Sequence, residues 1–194
     1  SSGTERHPVV VSDGAGGVIL VYEWSGGAGG ADSDVLAQRI GGDGRCLWNG
    51  GAKPVVLGNS SPPERRACAI TDGRGGAIVF FEWVGSDGDV DIMARRVTAD
   101  GQVLWGDSTK ALDVAATAGI EEHAVAVPDG AGGAVVVFET EPRSGDYKGD
   151  RDIAAQRVSS DGVLLWGGGK AVVVASGAGR EQSPVALADG AGGV

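Results

Sequence analysis

The sequence predicts an all-β repeat protein, and three observations lead to this prediction. A turn of the form Asp-Gly-x-Gly-Gly recurs four times, and an apolar run follows each of the first three copies. The aspartates of these turns are 59, 57 and 60 residues apart: Asp13, Asp72, Asp129 and Asp189. A fixed period of this length is typical of solenoids, propellers and arrays. The apolar runs are short and lie between glycine-rich turns, which favours strands over helices.

Each repeat is predicted to be an antiparallel four-stranded unit, because its connections are too short for parallel crossovers. Such units are typical of β-propeller blades, and a β-solenoid array is the alternative. In the first repeat the predicted strands cover residues 9–12, 18–24 and 34–40, and a fourth begins at 45–48 and leads to 53–57. The later repeats follow the same plan, with central strands at 77–83 and 134–140, third strands at 91–97 and 152–158, and fourth strands marked by Trp105 and Trp166.

The period divides the chain into three full repeats and the start of a fourth. After a polar lead-in at 1–7, the repeats cover 8–66, 67–123 and 124–183, and the fourth begins at 184–194. Closed propellers have about 4–8 blades, so three blades and a fragment do not close a ring alone. We therefore expect a piece of a longer protein, or chains that associate to complete a ring or extend an array.

Composition narrows the possible partners. Glycine accounts for 36 of the 194 residues, apolar residues make up 42%, and the net charge is −10. An acidic surface repels phosphate backbones and anionic lipids, so binding to nucleic acid is not expected. No apolar run reaches the ~18 residues that cross a bilayer, so membrane insertion is not expected either.

The two cysteines are predicted to be small buried hydrophobic side chains. Cys46 stands where the other repeats have Val103 and Leu164, and Cys68 stands at a position that is otherwise valine. A disulfide between Cys46 and Cys68 is the alternative, which requires a specific geometry.

A turn precedes Trp48, Trp105 and Trp166 in the three repeats. It resembles the Asp-box hairpin of sialidase-like propellers, Ser/Thr-x-Asp-x-Gly-x-x-Trp. Thr98, Asp100 and Trp105 match this spacing, and so do the corresponding residues Ser159, Asp161 and Trp166. The glycine sits one place early in every copy, and Gly41 replaces the hydroxyl residue in the first repeat. The whole repeat also resembles repeats of secreted bacterial proteins of propeller type. These resemblances imply a propeller fold and an extracellular or cell-surface setting, and they imply no activity.

Charged residues that recur in every repeat are interpreted as scaffold, because a catalytic centre is usually made once. Glutamates near the ends of the central strands are predicted to pair with arginines near the ends of the third strands. These residues are Glu23, Glu82 and Glu139, with Arg39, Arg96 and Arg157. A second series, which stands eight residues before each Asp-Gly, is predicted to contact backbone amides of an adjoining turn: Glu5, Glu64, Glu121 and Glu181. The Asp-Gly aspartates themselves are predicted to bond local backbone.

Pairs of aspartates before each third strand are the feature of the sequence that most suggests a binding site. They consist of Asp32 with Asp34, Asp89 with Asp91, and Asp150 with Asp152, and Asp87 extends the second pair. Alternating aspartates in a loop supply the oxygen ligands that Ca²⁺ prefers, although the pattern is not that of an EF-hand. Turn capping and solubility are the alternative interpretation.

The remaining candidates are aromatic residues, histidines and one loop. Trp48, Trp105 and Trp166 are predicted to pack between blades, whereas exposed indoles would form a sugar-binding platform. His7 and His123 occupy equivalent positions but lack the further ligands of a zinc site. A sialidase-like glycosidase would need a nucleophilic tyrosine and an arginine cluster, and the sequence assembles no such set.

These features predict a non-enzymatic, extracellular structural or adhesive module that contacts other protein chains. The loop from Glu141 to Arg151, which contains Tyr147 and Lys148, is the longest of its kind and is the predicted contact surface. A carbohydrate-binding propeller is the alternative, and a glycosidase is the third hypothesis.

Overall fold

The computed structural model describes residues 3–26, 32–142 and 149–194, and in these ranges the protein is all-β. Thirteen strands form two sheets, neither of which closes into a barrel, and the described ranges contain no α-helix. A short 3₁₀ turn covers Trp48–Gly51. No helix among the described residues is long and apolar enough to cross a membrane.

The first repeat forms a sheet of its own. Its strands are β1 (Gly3–Ser12), β2 (Val18–Gly26), β3 (Asp34–Ile40) and β4 (Val55–Gly58). They pair in chain order, and every pair is antiparallel. The predicted antiparallel meander is confirmed in this repeat.

The larger sheet contains the second and third repeats. The second comprises β5 (Glu64–Thr71), β6 (Ala77–Val84), β7 (Val90–Val97), β8 (Val103–Leu104) and β9 (Leu112–Ala115). The third comprises β10 (Gly119–Pro128), β11 (Ala134–Pro142), β12 (Asp152–Val158) and β13 (Val172–Ala175). Each repeat is again an antiparallel meander. A single parallel contact between Ile120 and Val90 joins β10 to β7 and makes the two units one sheet.

The fourth strand begins later than predicted in the first and third repeats, whereas in the second repeat β8 pairs with β7 directly before Trp105, as predicted. The residues from Arg45 to Trp48 form only an isolated bridge, between Cys46 and Ile40, and the strand begins after the tryptophan, at Val55. The third repeat behaves alike, because its fourth strand begins at Val172 rather than at Trp166. The tryptophans therefore lie in the connection that leads to the fourth strand.

Two hydrophobic cores lie between successive repeats. In the first, Ile19 and Val21 of one repeat pack with Val79 and Phe81 of the next. In the second, Phe80 packs in the same cluster as Phe138. Neighbouring residues along a central strand thus face opposite repeats, as the alternation of side chains in a strand requires. This packing explains why the central strands are apolar almost throughout.

The tryptophans of the Asp-box-like turns tie each repeat to the next. The indole N–H of Trp48 donates to the carbonyl of Ala99 (2.8 Å), and that of Trp105 donates to the carbonyl of Ser160 (3.2 Å). Both indole rings are buried. The predicted packing of these tryptophans between repeats is confirmed for Trp48 and Trp105, whereas Trp166 is partly exposed.

Candidate functional site: the joints between repeats

A bulge interrupts the first strand of each of the three full repeats at an equivalent residue with left-handed backbone, and Ser183 of the fourth repeat has the same conformation. His7, Arg66, His123 and Ser183 have φ values of 49°, 50°, 58° and 58°. The pairing register shifts at this point in β1, β5 and β10. A non-glycine residue in this conformation is costly and needs support from its surroundings.

A glutamate from the preceding repeat supplies that support. The backbone N–H of Arg66 donates to Glu23 (2.6 Å), and that of His123 donates to Glu82 (3.0 Å). Glu139 accepts the N–H of Ser183 in the same way (2.8 Å). Each of these glutamates is buried, so the hydrogen bond also compensates the carboxylate for its lost hydration.

The predicted pairing of these glutamates with Arg39, Arg96 and Arg157 is wrong. Neighbouring strands run antiparallel, so Glu23 lies opposite Val35, whereas Arg39 lies opposite Ile19 at the other end of the sheet. The arginines instead pair with the Asp-Gly aspartates. They form the pairs Arg39–Asp13 (2.9 Å), Arg96–Asp72 (2.8 Å) and Arg157–Asp129 (3.0 Å).

The Asp-Gly aspartates bond their own turns, as predicted. Oδ1 of Asp72 accepts the N–H groups of Arg74 and Gly76, both at 2.8 Å, while Oδ2 accepts from Arg96. Burial raises the pKa of Asp72, but the hydrogen bonds from Arg96 and the turn amides outweigh it and hold the pKa below its usual value. The same arginine donates to the carbonyl of Ser160 in the following repeat (3.0 Å). The turn, its arginine and the next repeat therefore form one connected network.

Glu122, His123 and Glu139 are a group of three potential metal ligands whose ligand atoms lie within 4.8 Å of one another. Within the described residues no other group meets this distance. Arg151 already bridges the two carboxylates, at 2.7 Å from Glu122 and 2.6 Å from Glu139. Arg66 donates to Nε2 of His123 (2.6 Å), so this nitrogen acts as an acceptor and is not free to bind a metal. The group is best described as an ion-pair network between two arginines and their carboxylates.

The acidic pairs lie at different joints, where each meets a glutamate of the next repeat that is buried at the first two joints and partly exposed at the third. Ser33, which stands between Asp32 and Asp34, exchanges two hydrogen bonds with the backbone of Glu64: its hydroxyl donates to the carbonyl (2.6 Å), and its carbonyl accepts the N–H (2.7 Å). Oε1 of Glu64 accepts hydrogen bonds from the N–H and the hydroxyl of Ser60. Burial raises the pKa of Glu64 to about 7, against the hydrogen bonds from Ser60, and Asp34 and Asp32 raise it further.

The second acidic joint repeats this arrangement between Asp89, Asp91 and Glu121. The N–H of Gly119 donates to Oδ1 of Asp89 (2.7 Å), which holds the pair against the start of β10. Burial raises the pKa of Asp91 to about 7, and the charges of Asp89, Glu121 and Asp113 contribute to this increase. Lys110 opposes it, and this lysine is paired with Asp113 at 2.6 Å.

The third joint places Asp150 and Asp152 near Glu181. The N–H of Glu181 donates to the carbonyl of Arg151, the residue between the two aspartates (2.8 Å). Asp87 is different, because its Oδ1 accepts the N–H of Asp89 (3.2 Å) in an exposed turn. Turn capping, the alternative interpretation of the acidic residues, is therefore confirmed for Asp87.

These joints contain buried carboxylate oxygens that lack a hydrogen-bond partner. Among the described residues, four buried side-chain polar atoms have none, and all four are carboxylate oxygens of the acidic joints. They are Oε2 of Glu64, Oδ1 of Asp91, Oδ1 of Asp113 and Oε2 of Glu181. The predicted contact of the glutamate series with an adjoining turn is thus confirmed for one oxygen of Glu64, while its other oxygen is left over. Such atoms are rare in proteins and each calls for an explanation.

Cavities accompany the first two acidic joints. One of about 390 Å³ is lined by Glu64, Asp91, Trp83 and Ser60. The equivalent cavity at the next joint has about 620 Å³ and is lined by Glu121, Asp113, Thr117 and Thr140, among others. Sequence reasoning missed that the glutamate of one repeat meets the acidic pair of the one before. The equal spacing of both series along the chain is the signal that connects them.

The other predicted residues are placed as follows. Both thiols are free, and the disulfide alternative is wrong for this structure. Cys68 packs against the second core and burial raises its pKa to about 12, whereas Cys46 is exposed rather than buried as predicted. Tyr147 and Lys148 lie outside the described residues. Burial and the charge of Glu5 raise the pKa of Tyr22, which disfavours the phenolate of a nucleophilic tyrosine.

No family model, no curated protein and no solved structure matches this chain. The resemblance to Asp-box hairpins therefore rests on the motif residues and their spacing alone.

Proposed function

We propose that this chain is a structural module, a segment of a β-propeller that assembles with further copies of itself through an open repeat face. The observation that carries the proposal is that the first repeat exposes the positions that the later repeats bury in their joints. The proposal is developed from the arrangement of the repeats and from the chemistry of this face.

A turning arrangement of the repeats is supported by one depression of about 420 Å³. The residues that line it include the bulge residue of each repeat, namely His7, Arg66, His123 and Ser183. In a straight stack, the first and fourth repeats would be separated by three spacings of about 10 Å, too far to line one depression of this size. Convergence of equivalent residues is the arrangement of propeller blades around an axis.

The open face lies on the first repeat. Leu20, Tyr22, Ile40 and Cys46 line a depression of about 310 Å³ on this face. The equivalent residues of the second repeat include Val79, Phe81 and Val97, which are buried in the first core. The face is therefore of the kind that packs against a preceding repeat, and an uncovered apolar face of this kind favours association.

The occupant that we propose is the third-repeat end of a second copy of this chain. That end exposes Val174 of β13. Its equivalent in the second repeat, Val114, is buried in the core with the third repeat. An interface of unlike faces generates closed rings or open filaments, depending on whether the rotation closes.

Sedimentation velocity over a range of concentrations tests this proposal. We expect the wild-type chain to associate, and we expect Tyr22→Glu to abolish association because it places a charge in the apolar face. Ala15→Glu is the matched control, because Ala15 lies on an exposed turn of the same repeat and does not line the depression. A wild-type chain that stays monomeric at high concentration, or a Tyr22→Glu variant that still associates, would contradict the proposal.

Carbohydrate binding is the second candidate function, and one observation favours it. Trp83 is partly exposed in the 390 Å³ cavity beside the carboxylates of Glu64 and Asp91. An aromatic face flanked by hydrogen-bonding groups is a suitable surface for a sugar ring. A glycan-binding screen tests this candidate, and a Trp83→Phe variant that retains all binding would show that the cavity is not the site.

A further inference from the structure

We propose that the cavity at the first acidic joint binds an uncharged sugar residue, whose hydroxyl groups donate to the carboxylates of Glu64 and Asp91 while its ring packs on Trp83. Such binding rests on the second candidate function, carbohydrate binding, and the two carboxylates decide which sugars the cavity accepts. Every residue that lines the cavity belongs to one chain, so self-association is not required.

The two cavities beside the acidic joints differ in the residues that a sugar would contact. Trp83 lines the first cavity and is partly exposed, whereas Thr140 stands at the equivalent position of the second. Gly58 of the first cavity is likewise replaced by Ala115. The hydroxyl of Thr140 donates to Glu121 (3.4 Å), and both oxygens of that glutamate accept hydrogen bonds. Of the two, only the first cavity combines a partly exposed aromatic ring with a glutamate that has an unpartnered oxygen.

Two acceptor atoms at the first cavity lack a donor. Oε2 of Glu64 and Oδ1 of Asp91 are buried and have no hydrogen-bond partner, and both residues line the cavity. Glu64 is only 2% exposed, and its other oxygen accepts from the N–H and the hydroxyl of Ser60. A buried carboxylate oxygen without a donor is costly. A sugar hydroxyl supplies a donor without adding charge, and its hydrogen bond to a carboxylate is a strong one.

The protonation of these carboxyl groups also suits a hydroxyl ligand. Burial raises the pKa of Glu64 to about 7 and that of Asp91 to about 7. Near neutral pH each group is therefore present in both forms. An ionised carboxyl group only accepts hydrogen bonds, whereas a protonated one also donates. Because a hydroxyl group both donates and accepts, a sugar can bind to either form.

The charges around the cavity favour an uncharged ligand. Arg95 and Lys110 line it together with the two carboxylates, so neither sign of charge dominates. Both cations are engaged elsewhere: Arg95 donates to two backbone carbonyls (3.2 and 2.7 Å), and Lys110 pairs with Asp113 at 2.6 Å. An acidic sugar would place its carboxylate beside those of Glu64 and Asp91, and like charges at such close quarters repel.

Ser60 fixes the aromatic ring relative to the carboxylate. The indole N–H of Trp83 donates to the hydroxyl of Ser60 (2.9 Å), which in turn donates to Oε1 of Glu64. The ring and the acceptor group therefore keep a defined orientation. A sugar ring has an apolar face of C–H groups and a rim of hydroxyl groups. Its face packs on the indole while the rim reaches the carboxylates.

Pairs of sugars that differ only in charge test the proposal. Methyl glucoside and methyl galactoside are compared with their uronides, in which a carboxylate replaces the hydroxymethyl group. Isothermal titration calorimetry with the full chain at pH 7.5 measures the affinities. We expect at least one uncharged glycoside to bind, and its uronide to bind at least about tenfold more weakly because of like-charge repulsion.

Glu64→Gln tests the role of the carboxylate. The amide has one acceptor oxygen instead of two and no charge, so we expect the affinity for the glycoside to fall about tenfold or more. Glu5→Gln is the matched control, because Glu5 is the equivalent glutamate of the first repeat, is exposed and does not line this cavity. We expect this variant to bind as the wild type does. The melting temperature of each variant shows that it is folded.

The outcomes separate this proposal from carbohydrate binding in general. An uncharged glycoside that binds more tightly than its uronide, and less tightly to Glu64→Gln but not to Glu5→Gln, supports the proposal. If neither uncharged glycoside binds, the proposal fails, and if the glycan-binding screen is also negative, carbohydrate binding fails with it. If sugars bind and Trp83→Phe weakens them, but the uronide binds as tightly or Glu64→Gln has no effect, carbohydrate binding stands and this proposal is overturned.

Discussion

Asp72 shows how one side chain connects three parts of the molecule. One of its oxygens holds its own turn, the other binds Arg96, and Arg96 reaches the carbonyl of the following repeat. Both members of the ion pair are buried, with side-chain exposures of 8% and 1%. Removing one member of such a pair leaves the other charge without compensation.

Asp72→Asn is therefore expected to destabilise the protein by about 3 kcal/mol, the size of effect that follows the loss of one partner of a buried ion pair. The amide keeps an oxygen that accepts the N–H groups of the turn, but it removes the negative charge that balances the buried guanidinium of Arg96. The free energy of unfolding from urea denaturation measures the effect. Asp43→Asn is the control, because the Asp43–Arg45 pair is exposed and its loss should cost less than about 1 kcal/mol. Equal losses for both variants would show that the buried pair has no special importance.

The pairing of the arginines also marks a limit of sequence reasoning at the residue scale. The glutamates and arginines that recur near strand ends are correctly recognised as scaffold, but their partners were misassigned. Antiparallel pairing places the last residues of β2 and β3 at opposite edges of the sheet, so Glu23 and Arg39 are about 13 Å apart along the strand direction. Strand polarity alone would have assigned Arg39 to Asp13.

At the scale of the element, the Asp-box-like turn couples a backbone requirement to a packing requirement. Gly44, Gly101 and Gly162 occupy equivalent positions, and each has a φ of 81°. They differ in their surroundings. A Cβ at Gly101 would lie 3.0 Å from the indole of Trp48, whereas a Cβ at Gly44 would meet no atom within 4 Å.

Replacing each glycine by alanine separates the two requirements. Gly44→Ala should cost about 1 kcal/mol, the penalty of a left-handed residue with a Cβ. Gly101→Ala should cost more, because it also displaces Trp48 from its hydrogen bond to Ala99. Urea denaturation measures both, and tryptophan fluorescence reports the displaced indole. If the two substitutions had equal effects, the glycine would serve only the turn.

Strand prediction was accurate where hydrophobic patterns and turn residues agree. The third strands at 34–40 and 152–158 have the predicted bounds, because aspartate begins each one and glycine or serine follows it. The bulges were missed, since the equivalent position holds histidine, arginine or serine in different repeats and no glycine marks it. Their signal is a variable residue in a fixed position two residues after a recurrent glutamate.

At the scale of the whole molecule, the acidic joints make stability depend on pH in an unusual direction. Glu64 and Asp91 have pKa values raised to about 7. A carboxyl with a raised pKa favours folding most when it is protonated, so this contribution falls as the pH rises from about 4, the pKa of the unfolded chain, to about 7. The Asp-Gly aspartates act oppositely, because their lowered pKa values cost stability only as the pH falls below about 4.

In EDTA the chain is therefore expected to be more stable at pH 5 than at pH 7.5. Glu64→Gln should reduce this difference, because it removes one of the carboxyl groups with a raised pKa, and Glu5→Gln should leave it unchanged. Urea denaturation at the two pH values measures the difference. A chain that gains stability between pH 5 and pH 7.5 would show that the joint carboxylates ionise without cost.

The all-β repeat and its antiparallel units follow from the sequence because each repeat carries the same local signals. The joints do not follow so readily, because they depend on how one repeat lies against the next. This arrangement places Glu64 near Asp34 and brings the four equivalent left-handed residues to one depression, and no local pattern encodes it.

A distance measurement between spin labels tests most directly the proposed turning of the repeats about a common axis. Labels at Ala15 and Ala131 are two repeats apart, and labels at Ala15 and Ala191 are three apart, all on exposed turns. A Cys46→Ser background removes the exposed thiol, while Cys68 is protected by its packing in the core. A straight stack gives a ratio of about three to two between the Ala15–Ala191 distance and the Ala15–Ala131 distance. If the repeats turn about a common axis, this ratio will be clearly smaller. Distances in the three-to-two ratio would contradict the propeller arrangement and favour a linear array.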